Sequence, residues 1–309
     1  MLKIAFDPIY KHPLPEGHRF PMLKYELIPE QLLYEGTTKA ENFFSPLGNL
    51  TFEALEILMR PHILGVHNSA YYEQLKNLTI DPKMERRIGF PLSKVLFERE
   101  VIIAAGTIQC ANFALQYGVA MNIAGGTHHA YSNKGEGFCL LNDVAIASHY
   151  LLNSKKASQI LVIDLDVHQG NGTAEIFADN PQVFTFSMHG AENYPLKKEK
   201  SDLDIALPTY TSDIAYLSAL KTTLPALMEQ VKPDFLFYVS GVDILESDKL
   251  GKLSVSMLGC KERDFFVFET AKKWRIPIVV SMGGGYSPKI IDIVDAHCNT
   301  FRLAEELFF

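Results

Sequence analysis

Short, mostly apolar runs alternate along the chain with longer stretches whose apolar residues recur at helical spacing. Residues 160–163 (Ile-Leu-Val-Ile), 235–239 (Phe-Leu-Phe-Tyr-Val), 119–124 and 276–282 have strand length. A strand with one wet face would alternate apolar and polar positions, so these near-continuous runs predict parallel strands covered on both faces. Residues 1–7 read as a first strand. The stretches from Lys94 to Gln116, Leu141 to Leu152, Asp213 to Val231 and Glu262 to Trp274 carry apolar residues three and four apart and predict helices. Strand, helix, strand in regular succession predicts βαβ units in an α/β, three-layer α/β/α architecture with a mostly parallel central sheet. The pattern runs evenly over 309 residues, with no linker, repeat or low-complexity tract, which predicts a single domain spanning 1–309. Residues 72–93, with Asp81-Pro82 and Phe90-Pro91, and residues 189–208 predict long irregular connections of the kind that line a site entrance.

The polar residues that interrupt this pattern fall at the carboxyl ends of the predicted strands. Residues 160–163 lead into Asp164-Leu165-Asp166-Val167-His168-Gln169-Gly170-Asn171-Gly172. If the backbone stays extended, Asp164, Asp166 and His168 point the same way. Three ionisable groups crowded at a buried strand end need neutralising, and a divalent metal would do it. Carboxylate and imidazole suit zinc and its first-row neighbours. The plainer alternative is a strand end whose aspartates cap the next helix. Asp243 ends the stretch 235–243 and offers a further ligand, His128-His129 follows the 119–124 run, and Tyr286 follows Gly283-Gly284-Gly285 after the 276–282 run. Four strands thus deliver polar groups where open α/β sheets bind ligands.

The ordered set His-His, D-x-D-x-H, S-G-x-D and G-G-G-Y resembles the zinc-dependent histone deacetylase family with its arginase-like fold, and the likeness runs from His18 to Tyr286. Asn171, residues 241–245 and residues 250–254 most resemble the class IV branch and its bacterial relatives. The resemblance implies one catalytic zinc on Asp166, His168 and Asp243, with a position left for water. It makes His129 the base, His128 its electrostatic partner held by Asp164, and Tyr286 the donor to the developing oxyanion. Gly137 and Phe138 would form one wall of an acyl-lysine tunnel and Tyr194 the other, with Gly284 letting backbone approach the metal. Arg19 would stand beside a product exit channel. A structural potassium ion on backbone oxygens of residues 164–168 and 187–188, with the Ser187 hydroxyl, is also allowed.

The implied substrate is an acyl-lysine peptide or protein, or an acylated small amine. Glu16 and Glu192 are loop acids that a cationic acetylpolyamine would use at the mouth. Two other readings stand beside the deacylase. A binuclear ureohydrolase needs an acid where this chain has Leu245, and a catalytically silent scaffold needs neither ligands nor base. Composition trims the rest. A net charge of -7, from 29 Lys and Arg against 36 Asp and Glu, argues against a nucleic-acid-gripping surface. The run Lys197-Lys198-Glu199-Lys200 reads as solvated surface. Four cysteines without a C-x-x-C pair predict reduced, mostly buried thiols in a cytoplasmic protein, and no apolar stretch approaches a membrane span. Oligomeric state is left open.

Overall fold

In the computed structural model, which describes residues 1–309, the apolar runs pair edge to edge as one eight-stranded sheet. The chain lays down β1 (Lys3–Ala5), α1 (Lys24–Tyr34), β2 (Phe43–Phe44), α2 (Phe52–Leu64), α3 (Ser69–Lys76), α4 (Pro82–Ile88), α5 (Lys94–Tyr117) and β3 (Val119–Asn122). It continues through α6 (Asp143–Asn153), β4 (Ile160–Asp164), α7 (Asn171–Phe177), β5 (Val183–Gly190), β6 (Leu203–Leu207) and α8 (Asp213–Val231). It closes with β7 (Phe235–Val239), α9 (Met257–Trp274), β8 (Ile278–Ser281) and α10 (Ile290–Phe308).

All strand pairs are parallel, in the order β2-β1-β3-β8-β7-β4-β5-β6. Every residue of β3, β4, β7 and β8 is buried, as continuous apolar runs require. One helical layer packs α5 with α2 and α6, and the other packs α9 with α8 and α10, with α1 against α10. A single cluster of 85 buried apolar residues joins the sheet to both layers, so one core holds the whole domain. Helix starts carry their own signals: Ser93, Asn142 and Ser256 each accept a backbone N–H two or three places into α5, α6 and α9. Each such cap contributes about 1 kcal/mol.

Two expected irregular connections contain regular structure. Residues 72–93 include the end of α3 and all of α4, which starts on the Asp81 cap and stops at Gly89 in the left-handed region. Only Ile88 of α4 is buried, so its seven residues give no apolar period to read. Residues 189–208 include the edge strand β6, whose half-exposed residues lack the continuous apolar signature of the central strands. The four predicted helices form, with ends shifted by a few residues, and α1, α2, α3, α4, α7 and α10 join them. All four cysteines are free and buried. No helix is long and apolar enough to cross a membrane.

The topology decides where the site sits. The chain builds β1 to β3, skips two places to lay down β4, moves outward to β6, and returns to fill the gap with β7 and β8. The four adjacent strands β3-β8-β7-β4 therefore bring their carboxyl ends to one edge, where the chain order reverses and a crevice opens.

Candidate metal centre and active site

β4 ends at Asp164, so the expected extended run of alternating side chains does not continue to His168. The Asp166 N–H donates to Asp164 Oδ1 at 3.2 Å and the His168 N–H to Asp166 Oδ1 at 3.0 Å, two successive side-chain turns that bend the backbone. The bend sends Asp164 to His128 and turns Asp166 and His168 toward Asp243. Asp166, His168 and Asp243 are buried and their ligand atoms lie within 4.8 Å of one another. Nδ1 of His168 is 3.0 Å from Asp166 Oδ1 and 3.2 Å from Asp243 Oδ2. The remaining carboxylate oxygens are fixed by backbone: Gly284 N–H donates to Asp166 Oδ2 at 2.7 Å and Val167 N–H to Asp243 Oδ1 at 2.9 Å.

This donor set fits a divalent cation. Burial and the adjacent Asp166 carboxylate push Asp243 up to about 7, because two buried negative charges in contact resist coexisting. Against its burial, hydrogen bonds to Asp166 and Asp243 raise the His168 imidazole to about 10. The cluster thus favours positive charge between its carboxylates, and a metal held by two oxygens and one imidazole would supply it in place of a protonated His168. Gly284 is required here, since a Cβ would lie 2.0 Å from Asp243 Oδ2.

The histidine pair sits on the loop after β3. Asp143, at the start of α6, clamps that loop by accepting from the Thr127 N–H at 2.9 Å and the Thr127 hydroxyl at 2.7 Å. The two imidazoles lie 4.1 Å apart, centroid to centroid. His128 Nδ1 is 2.6 Å from Asp164 Oδ2, and His129 Nδ1 is 2.6 Å from Asn171 Oδ1. Burial, then the neighbouring His128 and His168, drives His129 well below the ordinary imidazole value. Burial acts the same way on His128, yet the Asp164 and Asp166 carboxylates overcome it and raise His128 to about 9. Environment thus pulls two adjacent imidazoles in opposite directions, the kind of separation by which acid and base roles can be told apart.

Tyr286 lines the same chamber, its ring centroid 6.3 Å from that of His168. Its backbone N–H donates to Asp248 Oδ2 at 2.5 Å, and the other Asp248 oxygen accepts from Leu250 and Gly251 N–H. Burial, then the Asp243 and Asp166 carboxylates, keeps the phenol protonated well above its usual range. Gly137 and Phe138 both have positive φ, 58° and 67°. Gly137 has no alternative, because a Cβ there would meet His129 Cδ2 at 2.5 Å. The pair hangs from the last carbonyls of α4: Gly137 N–H donates to Arg87 at 2.9 Å and Phe138 N–H to Ile88 at 2.6 Å. Tyr194 stands edge-on to His129 at 5.0 Å between centroids. Its loop is pinned by Lys198, whose ammonium donates to the Asn193 and Pro195 carbonyls. That one lysine of the charged run is half-buried and structural.

Phe138, Tyr194, Gly137 and Tyr286 line the mouth together with Arg19, Arg87, Lys252 and Glu192. Arg19 therefore does not stand beside an inner channel; its guanidinium lies 5.0 Å over the Phe138 ring at the entrance. The inner cations are Lys24, donating to the Gly283 carbonyl at 3.1 Å, and Arg99, donating to the Tyr10 carbonyl at 2.8 Å. Burial lowers Lys24 to about 8 against the pull of Asp243 and Asp166. Glu192 is 3.7 Å from Lys252, and Glu16 does not line the mouth. Sequence reasoning missed Lys24, Arg99, Asp248 and Glu136; none lies at the end of an apolar run, the signal that marked the others.

Comparisons with known proteins agree with the fold. A family model described as the histone deacetylase domain matches residues 21–301. An uncharacterized protein of Picosynechococcus sp. is 41% identical over 305 residues, covering 99% of each chain. Histone deacetylase 2 of Arabidopsis thaliana is 31% identical over 281 residues, covering 87% of this chain and 70% of that one. The crystal structure of an HDAC homolog from Aquifex aeolicus superposes with a TM-score of 0.80 at 24% identity, covering 97% of this chain and 82% of the other, a likeness of fold. Family model and relatives together make this chain a member of the histone deacetylase family.

Proposed function

We propose that the protein is a zinc-dependent hydrolase that removes acyl groups, acetyl or longer, from lysine side chains. The observation that carries this reading is the convergence on one sheet edge of a metal-capable Asp-His-Asp cluster, an imidazole whose burial resists protonation and a phenol whose burial resists ionisation, below an aromatic-walled mouth. A zinc ion on Asp166, His168 and Asp243 would polarise both a water molecule and the acyl carbonyl. His129, hydrogen-bonded through Nδ1 to Asn171, keeps Nε2 free to take the water proton. His128, held charged by Asp164, balances the negative charge that develops beside it. The Tyr286 hydroxyl donates to the carbonyl oxygen as that oxygen becomes negative, and His129 returns the proton to the leaving amine. Phe138 and Tyr194 flank the extended lysine stem and exclude water from it.

The mouth favours acyl-lysine over acetylpolyamine. Arg19, Arg87 and Lys252 face the opening, and its one carboxylate, Glu192, lies beside Lys252. A polycation would meet like charge there, whereas a peptide with neutral or acidic flanks would not. Asn171 and the segments after β7 align the reading with class IV enzymes, whose relatives accept long acyl chains.

The test is kcat/KM on acetyl-, octanoyl- and myristoyl-lysine peptides beside N8-acetylspermidine, with and without a chelator, and with His129→Ala. Lysine peptides should win, the chelator should abolish turnover, and re-added zinc should restore it. A tenfold preference for the polyamine, about 1.4 kcal/mol of transition-state free energy, would overturn the substrate assignment. Full activity in the chelated enzyme or in His129→Ala would overturn the mechanism.

A further inference from the structure

The residue behind His129 is an amide, and an amide has two ends. Asn171 Oδ1 faces His129 Nδ1 at 2.6 Å, while Nδ2 spends both of its hydrogens elsewhere, on Glu136 Oε1 at 2.7 Å and the Tyr131 hydroxyl at 2.9 Å. Glu136 is 8% exposed. Tyr131 in turn reaches Glu199 at 3.2 Å. A carboxylate accepts and never donates when ionised, so Glu136 fixes which end of the amide is nitrogen. With the amide so held, His129 must carry its proton on Nδ1 and leave Nε2 bare. Were the amide to flip, its NH₂ would face Nδ1, the proton would move to Nε2, and the base would lose its lone pair at the reacting end.

We infer that Glu136 is a positioning residue for the hydrolysis: through Asn171 it sets the tautomer of His129, so that His129–Asn171–Glu136 replaces a direct imidazole–carboxylate dyad with one whose charge lies a residue further back. This rests on the reading of His129 as the base. The scale is set by other hydrolases, where a wrong tautomer lowers kcat by on the order of 10⁴-fold. A leucine at 136 removes the acceptor without enforcing the flip, so a smaller loss follows.

The experiment is a set of variants in the zinc-loaded enzyme. Glu136→Leu should lower kcat on the acetyl-lysine peptide by roughly 100-fold at near-constant KM, zinc content and melting temperature. Glu136→Gln retains an acceptor oxygen and should stay within about tenfold of the parent. Asn171→Asp alone sets two carboxylates against each other and should be slow; Asn171→Asp combined with Glu136→Leu gives His129 its own carboxylate and should be faster than either single variant. A merely structural role would make the two losses add. In the unmodified protein, imidazole ¹⁵N spectra should show His129 protonated at Nδ1 alone, a reading that does not depend on any variant folding. A Glu136→Leu enzyme within threefold of the parent, a double variant no faster than Glu136→Leu, or a proton on Nε2 would overturn the assignment. If His129→Ala abolishes turnover while Glu136→Leu is silent, this inference fails and the reading of the base stands.

Discussion

Removing a single oxygen from Tyr286 separates its chemistry from its packing. Tyr286→Phe keeps the ring 6.0 Å from both Phe20 and Phe138 but deletes the hydroxyl that would meet the oxyanion. Turnover should fall by roughly 10²- to 10³-fold, with zinc content by elemental analysis and thermal stability unchanged. Near-normal kcat would assign the oxyanion to another donor. At this scale the sequence is legible where an ionisable residue ends an apolar run: Asp166, His168, Asp243 and the histidine pair all announce themselves that way. Glu136, Lys24 and Asp248 do not. Glu136 lies in a polar loop, Asp248 in a turn, and Lys24 at the start of α1, where a lysine ordinarily faces water. Their roles arise from segments far apart in the chain, as when Lys24 meets the Gly283 carbonyl 259 residues away.

Among the elements, α4 does most to place Gly137 and Phe138 at the mouth while being the hardest to foresee. Its seven residues include Glu85, Arg86 and Arg87, and its end at Gly89 fixes the carbonyls that hold Gly137 and Phe138. Gly89 has φ +82°, and a Cβ there would meet the Phe138 ring at 3.0 Å. Gly89→Ala should destabilise the fold by about 1–2 kcal/mol, the cost of a left-handed non-glycine residue, and press on Phe138. We expect KM for the lysine peptide to rise several-fold with kcat largely retained, since in the proposed role Phe138 would bind rather than react. A variant with unchanged KM would uncouple α4 from the wall. The central strands are legible because burial on both faces leaves an unbroken apolar signature; α4 and β6 are not, because a short element half in water leaves none.

At the scale of the molecule, two devices hold remote parts together. Arg263 of α9, fully buried, donates to the carbonyls of Leu165 and Gly241 and pairs with Asp264, so one guanidinium braces the ends of β4 and β7 beneath the metal-capable Asp-His-Asp cluster. Arg302 of α10 grips Glu35, at the end of α1, through Nε at 2.8 Å and Nη2 at 2.6 Å. That hydrogen-bonded pairing holds the Glu35 carboxyl down at about 2. A carboxylate depressed in the folded state stabilises the protein above its unfolded value of about 4.3 and loses that contribution as pH falls toward 2. Glu35→Gln should cost about 1 kcal/mol at pH 7, a modest figure because the pair is a quarter exposed, and the difference should shrink by pH 3. Urea titrations at the two pH values measure it; equal differences at both would show that the charge contributes nothing.

The late arrival of β7 and β8 between β3 and β4 also has a meaning in time. His168 precedes Asp243 by 75 residues and Asp166 precedes Gly284 by 118. At a synthesis rate of about 5–20 residues per second, roughly 4–15 seconds pass in which the emerging chain displays an aspartate and an imidazole with no third ligand. During that interval β3 and β4 have no strand between them, and each has an open edge where the other half of the sheet belongs. With Asp166, His168 and Asp243 as the ligands of the proposed ion, a nascent chain would offer only two of the three and hold it weakly, so firm metal uptake would await polypeptide whose sheet has closed.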